Sequence, residues 1–129
     1  MINVLYTCAA EGASGYSQAA RDYICALSTV KDINLSIESA VFETFKTDQS
    51  GYNSVIAPLI NKPMKPDVQI IHMTPDNFPK YIKKGMINIG YTVWETTQLP
   101  DAWVPLCNMM DFIYVPCEWN VEVFKNSGV

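Results

Sequence analysis

An α/β domain built on a parallel sheet with helices on both faces is the fold class the sequence predicts, and three observations carry it. Short apolar runs with strand character recur five times and alternate with stretches of helical spacing, the pattern of a parallel sheet with helical crossovers. The chain holds 129 residues, one domain allotment and not two, so a single domain over residues 1–129 is expected. Its composition, 49% hydrophobic and 17% charged against a usual charged share of about 25%, belongs to a globular chain that buries a core.

The first strand is Ile2 to Thr7, a nearly continuous apolar run closed by small residues, as in a strand covered on both faces. The loop Glu11-Gly12-Ala13-Ser14-Gly15-Tyr16 follows it. Ser17 is placed to cap a helix whose apolar stripe is Ala20, Tyr23, Ile24 and Leu27, with Gln18, Arg21 and Asp22 turned outward. Ile33, Leu35 and Ile37 alternate with polar residues as a second strand, and Glu43 to Gly51 is polar enough to be a loop. Val55 to Ile60 reads as a short helix stopped by Pro63 and Pro66.

Asp67 to His72 is the third strand, ending at Thr74-Pro75-Asp76-Asn77. After a short Lys80 to Lys84 segment, Gly85 punctuates, and Met86 to Trp94 is a fourth strand rich in β-branched and aromatic residues. Asp101 is expected to cap a helix carrying Trp103, Leu106 and Met110, with Pro105 near its first turn. Phe112 to Val115 is the fifth strand. Cys117, Val121 and Phe124 then stripe a last helix, with Gly128 where a left-handed C-cap belongs.

Charge and cysteine content narrow the function classes. Nine Lys+Arg against 13 Asp+Glu give a net charge of -4, the wrong sign for a duplex or anionic-membrane binder, so no nucleic-acid partner is expected. The N-terminus lacks the basic region of a signal peptide, and no run approaches the roughly 18 apolar residues of a transmembrane segment. Cys8, Cys25, Cys107 and Cys117 contain no C-x-x-C, match no zinc spacing and fit inert thiols of a cytoplasmic protein. With one histidine and no Asp-x-Asp pair, no metal site is expected.

In an open parallel sheet the ligand sits beyond the carboxyl ends of the strands. Those ends are Cys8 to Tyr16, His72 to Asn77, Trp94 to Pro100 and Cys117 to Trp119. Gly12-Ala13-Ser14-Gly15 stands between the first strand and the first helix, where backbone amides attract phosphate; a ligand-free tight turn is the alternative. The loop is not G-x-G-x-x-G and lacks the G-K-[ST] ending of a P-loop. His72 ends an apolar strand, either as a satisfied, partly buried side chain or as an acid–base or ligand-contacting group. Glu95 is flanked by Trp94, Thr96 and Thr97, a carboxylate, an aromatic face and hydroxyls of the kind that orient sugars, or else a surface turn. Trp103 and Trp119 lie in helix patterns and read as core, and no base stands beside Cys8 or Cys117.

The ordered set Ile89-Gly90-Tyr91-Thr92-Val93-Trp94-Glu95-Thr96-Thr97-Gln98-Leu99-Pro100, Trp103, Asp111, Val115-Pro116-Cys117 and Val123 to Val129 resembles glycosyltransferase family 4 and its relatives. The resemblance covers the whole chain loosely and residues 86–129 well. These enzymes have the GT-B fold, two Rossmann-like domains with the active site between them. The resemblance therefore implies a Rossmann-like three-layer sandwich that forms the N-terminal, acceptor-side half. It implies hexosyl transfer from a nucleotide-sugar co-substrate to a small-molecule, glycan or lipid acceptor, with no cofactor and no required metal.

Residue by residue, Gly12, Ser14, Gly15 and Tyr16 match the family's glycine loop, which faces the donor phosphates and the acceptor. His72 with Thr74 and Pro75 resembles the strand end bordering the acceptor pocket. Glu95 stands where many members have a histidine that contacts the transferred sugar, and Cys117 where relatives usually place a serine. Glu95 and His72 are thus the catalytic candidates, and Thr74, Trp94, Thr96 and Thr97 the acceptor-binding ones. The E-x7-E segment and the cations that neutralise the diphosphate belong to a C-terminal donor domain expected to begin beyond Val129, so the chain alone is expected to be inactive. The expected location is cytoplasmic, free or peripheral at a membrane; the oligomeric state is open, although an apolar face uncovered by the absent domain favours association, a homo-oligomer among the outcomes. The rival classes are a stand-alone Rossmann-like binding or interaction module without catalysis, and a flavodoxin-like or nucleotide-sensing domain.

Overall fold

The computed structural model describes residues 1–40 and 52–129. Its sheet contains β1 (Ile2–Cys8), β2 (Ile33–Ser39), β3 (Val68–His72), β4 (Ile87–Tyr91) and β5 (Phe112–Tyr114), all parallel, in the order β2-β1-β3-β4-β5. The expected α/β class is therefore observed, a five-stranded parallel sheet flanked by helices. Because the chain steps from β1 to β2 on one side and returns to β3 on the other, the topological switch point lies between β1 and β3. Doubly wound sheets of this order place their ligands there.

Helix α1 spans Gly15–Ser28 and starts earlier than the sequence suggested. Ser14, not Ser17, is the N-cap: its backbone is extended, and its Oγ accepts the Ser17 N–H at 3.2 Å. The helix therefore turns by one position, and its buried stripe is Ser17, Ala20, Arg21 and Ile24. Arg21, expected on the outer face, is 1% exposed. Its guanidinium donates to the carbonyls of Ala10 and Gly12 at 3.1 and 2.7 Å and to Gln18 at 3.3 Å, pinning the β1–α1 loop to the helix. Tyr23 leaves the core stripe and lies half-exposed beside β4.

The polar loop expected at Glu43 to Gly51 lies outside the described residues. Helix α2 (Asn53–Ile56) and a following 3₁₀ turn, Ala57–Leu59, run toward Ile60, which bridges to Ile37 on the outer side of β2. From there a proline-containing strap is held by Ser36 Oγ donating to Lys62 O (2.9 Å) and Asn3 Nδ2 donating to Lys65 O (3.0 Å) on its way into β3. Helix α3 (Phe78–Tyr81) overlaps the start of the segment expected at Lys80 to Lys84 and buries Phe78.

Strand β4 is shorter than the expected Met86 to Trp94, and Glu95 stands four residues past its end. Thr92 N–H still reaches Tyr114 O at 3.1 Å, but beyond it the backbone is taken by side chains. Tyr16 Oη accepts from Val93 N, and the Asn120 amide satisfies both N and O of Trp94, so the chain peels off the sheet. Helix α4 (Trp103–Cys107) is capped at Ala102 without a side-chain bond, so Asp101 is not the cap and buried Met110 falls past the helix. Helix α5 (Glu118–Ser127) buries Asn120, Val123 and Phe124; Cys117 and Val121, expected in its stripe, are exposed. Gly128 caps it at φ 106°, as the sequence predicted.

Two apolar cores lie on opposite faces of the sheet. Val4, Tyr6, Leu35 and Ile37 pack beneath Ala20 and Ile24 of α1, while Ile71, Met73, Phe78, Cys107 and Phe124 form the second core beneath α3, α4 and α5. Gly90 brings β4 against this second core: a Cβ there would lie 2.6 Å from Phe78 Cζ and 2.8 Å from Ile113 Cδ1. On β5, Phe112 and Tyr114 are more than half exposed, which leaves apolar surface at that edge. No helix among the described residues is long and apolar enough to cross a membrane.

Candidate functional site

A cavity of about 380 Å³ opens at the carboxyl ends of the strands, where the switch point predicts a site. Gly15, Tyr16 and Ala19 of the first α1 turns form one wall, and Tyr91, Thr92, Val93 and Glu95 form the other. His72 stands between them at the end of β3, and Pro116 closes the rim. Parallel pairing sets His72 beside Tyr91, and β1 contributes Tyr6 from the neighbouring strand.

His72 is enclosed by tyrosines. Its Nδ1 is 2.8 Å from Tyr6 Oη, and the rings of Tyr91, Tyr16, Tyr6 and Tyr23 stand edge-on at 4.4, 5.7, 6.0 and 6.0 Å. This desolvation pushes the imidazole down to about 4, so it is neutral at physiological pH. Burial also holds the Tyr6 and Tyr91 hydroxyls well above the usual phenol range, the latter helped by its hydrogen bond with Tyr23 Oη at 2.8 Å. Tyr16 is raised by burial as well; its hydroxyl meets Thr92 Oγ1 at 2.9 Å and accepts from Val93 N at 3.2 Å, tying the two cavity walls together.

Of the residues singled out from sequence, Gly15, Tyr16, His72 and Glu95 line this cavity. The others lie outside its wall. Gly12 closes a turn to Ala9 and offers its carbonyl to Arg21, and Ser14 caps α1. Thr74 Oγ1 accepts from Asn77 Nδ2 at 3.0 Å. Trp94 packs edge-on against Trp103 at 4.9 Å, and its Nε1 donates to Gln98 O and to Thr96 Oγ1 at 2.7 and 2.8 Å. Thr97 is exposed in the same loop. Cys8 is buried and pushed up to about 12 by desolvation, the environment of an inert thiol.

Sequence reasoning missed Tyr6, Tyr23 and Tyr91 as parts of the site. One signal was present: Tyr16, Ala19 and Tyr23 share a helix face at i, i+3, i+7.

Among the described residues, no lysine or arginine lines the cavity. The polar groups that the described residues bring to it are a neutral imidazole, hydroxyls and one carboxylate, set against aromatic edges. Such a set hydrogen-bonds an uncharged, hydroxyl-bearing ligand in both directions, and it lacks the cations that a diphosphate needs. No family model, curated protein or solved structure matches the chain.

Proposed function

We propose that this chain is the acceptor-side, Rossmann-like domain of a GT-B glycosyltransferase of the hexosyl-transferring type. Its cavity holds the hydroxyl-bearing acceptor while a second domain binds the nucleotide-sugar. The observation that carries the reading is the composition of the cavity wall: neutral His72, the hydroxyls of Tyr16 and Thr92, and Glu95, with no cation among the described residues. The sequence resemblance around Trp94-Glu95-Thr96 supports the same assignment. Glu95 accepts hydrogen bonds from sugar or acceptor hydroxyls, His72 positions the ring from the opposite side, and the Gly12 to Gly15 loop meets the diphosphate when the second domain closes.

The test is transfer activity in a protein that joins this domain to a donor-binding one. Glu95→Ala and His72→Ala should each lower activity by about tenfold or more through lost positioning. Full activity in both variants overturns the assignment.

The strand order favours one other reading, since β2-β1-β3-β4-β5 is the order of flavodoxin-like nucleotide-binding domains. Calorimetry separates the two. The transferase reading expects no tight nucleotide binding by the chain alone, and a low-micromolar dissociation constant supports the nucleotide-binding module instead.

A further inference from the structure

The Tyr6–His72 pair has a consequence for the cavity whatever reaction it serves. Tyr6 is 2% exposed, and among the described residues its hydroxyl has one hydrogen-bond partner, His72 Nδ1 at 2.8 Å. The imidazole is neutral, so one ring nitrogen carries the proton and the other accepts.

Two arrangements are open to the pair. If Nδ1 carried the proton, it would donate to Tyr6 Oη, and the tyrosine proton would be left without an acceptor inside the core. If Nδ1 is bare, Tyr6 donates to it and every buried group of the pair is satisfied. A buried donor with no acceptor is penalised enough to shift such an equilibrium by about tenfold or more. The second arrangement therefore prevails, and the proton sits on Nε2.

Nε2 is the nitrogen a ligand can reach. It makes no hydrogen bond among the described residues, it is not one of the fully buried unpartnered atoms, and its residue lines the cavity. We infer that Tyr6 is a positioning residue that fixes His72 in the Nε2–H tautomer, so that the cavity presents a hydrogen-bond donor to an uncharged acceptor oxygen of its ligand. A hydroxyl or carbonyl oxygen matches that donor, and an ammonium group does not. Tyr6 never touches the ligand; it acts through the imidazole. This inference goes beyond the transferase reading and does not rest on it.

The sequence makes the experiment clean, because His72 is the sole histidine. With ¹⁵N placed only in histidine rings, a long-range ¹⁵N–¹H spectrum of the full chain at pH 7 shows two ring nitrogens. The expected result is a bare Nδ1 and a protonated Nε2, assigned from their couplings to the two ring C–H protons. In Tyr6→Phe, which keeps the aromatic ring, the ratio of the Nε2–H to the Nδ1–H form should fall about tenfold, toward an averaged pair of signals. A loss of packing alone does not produce that change. A protonated Nδ1 in the wild-type chain overturns the inference outright, even if Tyr6→Phe fails to fold. An unchanged tautomer ratio in a folded Tyr6→Phe overturns it equally.

Discussion

The buried neutral state of His72 makes the stability of the domain depend on pH in a window that can be worked out in advance. In the unfolded chain this imidazole titrates at its ordinary value of about 6.5. In the fold it titrates at about 4 because desolvation disfavours the cation. Between those two values the unfolded state binds more proton than the native state, so stability rises with pH. The contribution is fully present above the unfolded value and is lost as pH falls toward the folded one. Each unit of displacement is worth about 1.4 kcal/mol, so the whole window amounts to about 3 kcal/mol. That is a large part of the roughly 5–15 kcal/mol that holds a typical domain together. Urea titrations followed by tryptophan fluorescence at intervals from pH 7 to pH 4 measure it, with His72→Gln as the reference that removes the titrating group. The wild-type chain should lose about 3 kcal/mol more than His72→Gln across the window. Parallel curves for the two proteins refute the claim that the tyrosine enclosure keeps the imidazole neutral.

Gly90→Ala should destabilise by about 1–3 kcal/mol in the same titration, because the new methyl group meets Phe78 and Ile113 below 3 Å inside the second core. Arg21→Leu leaves the Ala10 and Gly12 carbonyls without their donor; a loss of about 1–3 kcal/mol is expected, with faster amide hydrogen exchange confined first to residues 9–16. Glu95→Ala, at an exposed site, should leave the unfolding midpoint within about 0.5 kcal/mol of the wild type, which separates its role in ligand binding from any role in folding.

The sheet was legible because each strand announces itself locally. The apolar runs at Ile2, Ile33, Val68, Ile87 and Phe112 need no information from elsewhere in the chain, and parallel pairing follows from their alternation with helices. The place of the cavity was legible too, since the carboxyl edge of a parallel sheet is where loops converge. Its content was less so. The contact of His72 with Tyr6 spans 66 residues, and that of Tyr16 with Thr92 spans 76, so neither exists until the strand order is known. Arg21 reads as a solvent-facing charge in a helical pattern because its carbonyl partners lie 9 and 11 residues away in a loop. Ser14 and Ser17 both have the chemistry of a cap, and backbone direction decides between them. The stripe of α5 is displaced because Asn120, a polar residue that hydropathy assigns to the surface, is buried to hold both backbone groups of Trp94.

The most direct measurement of the central claim, that the cavity between α1 and β4 binds a hydroxyl-rich, uncharged ligand, is a chemical-shift titration of the ¹⁵N-labelled chain with methyl glycosides. Saturable perturbations at Tyr16, His72, Thr92 and Glu95, at millimolar sugar and with no comparable response of these four to inorganic phosphate, are what the account predicts. Perturbations absent from these residues at saturating sugar, or a phosphate response centred on them, would contradict it.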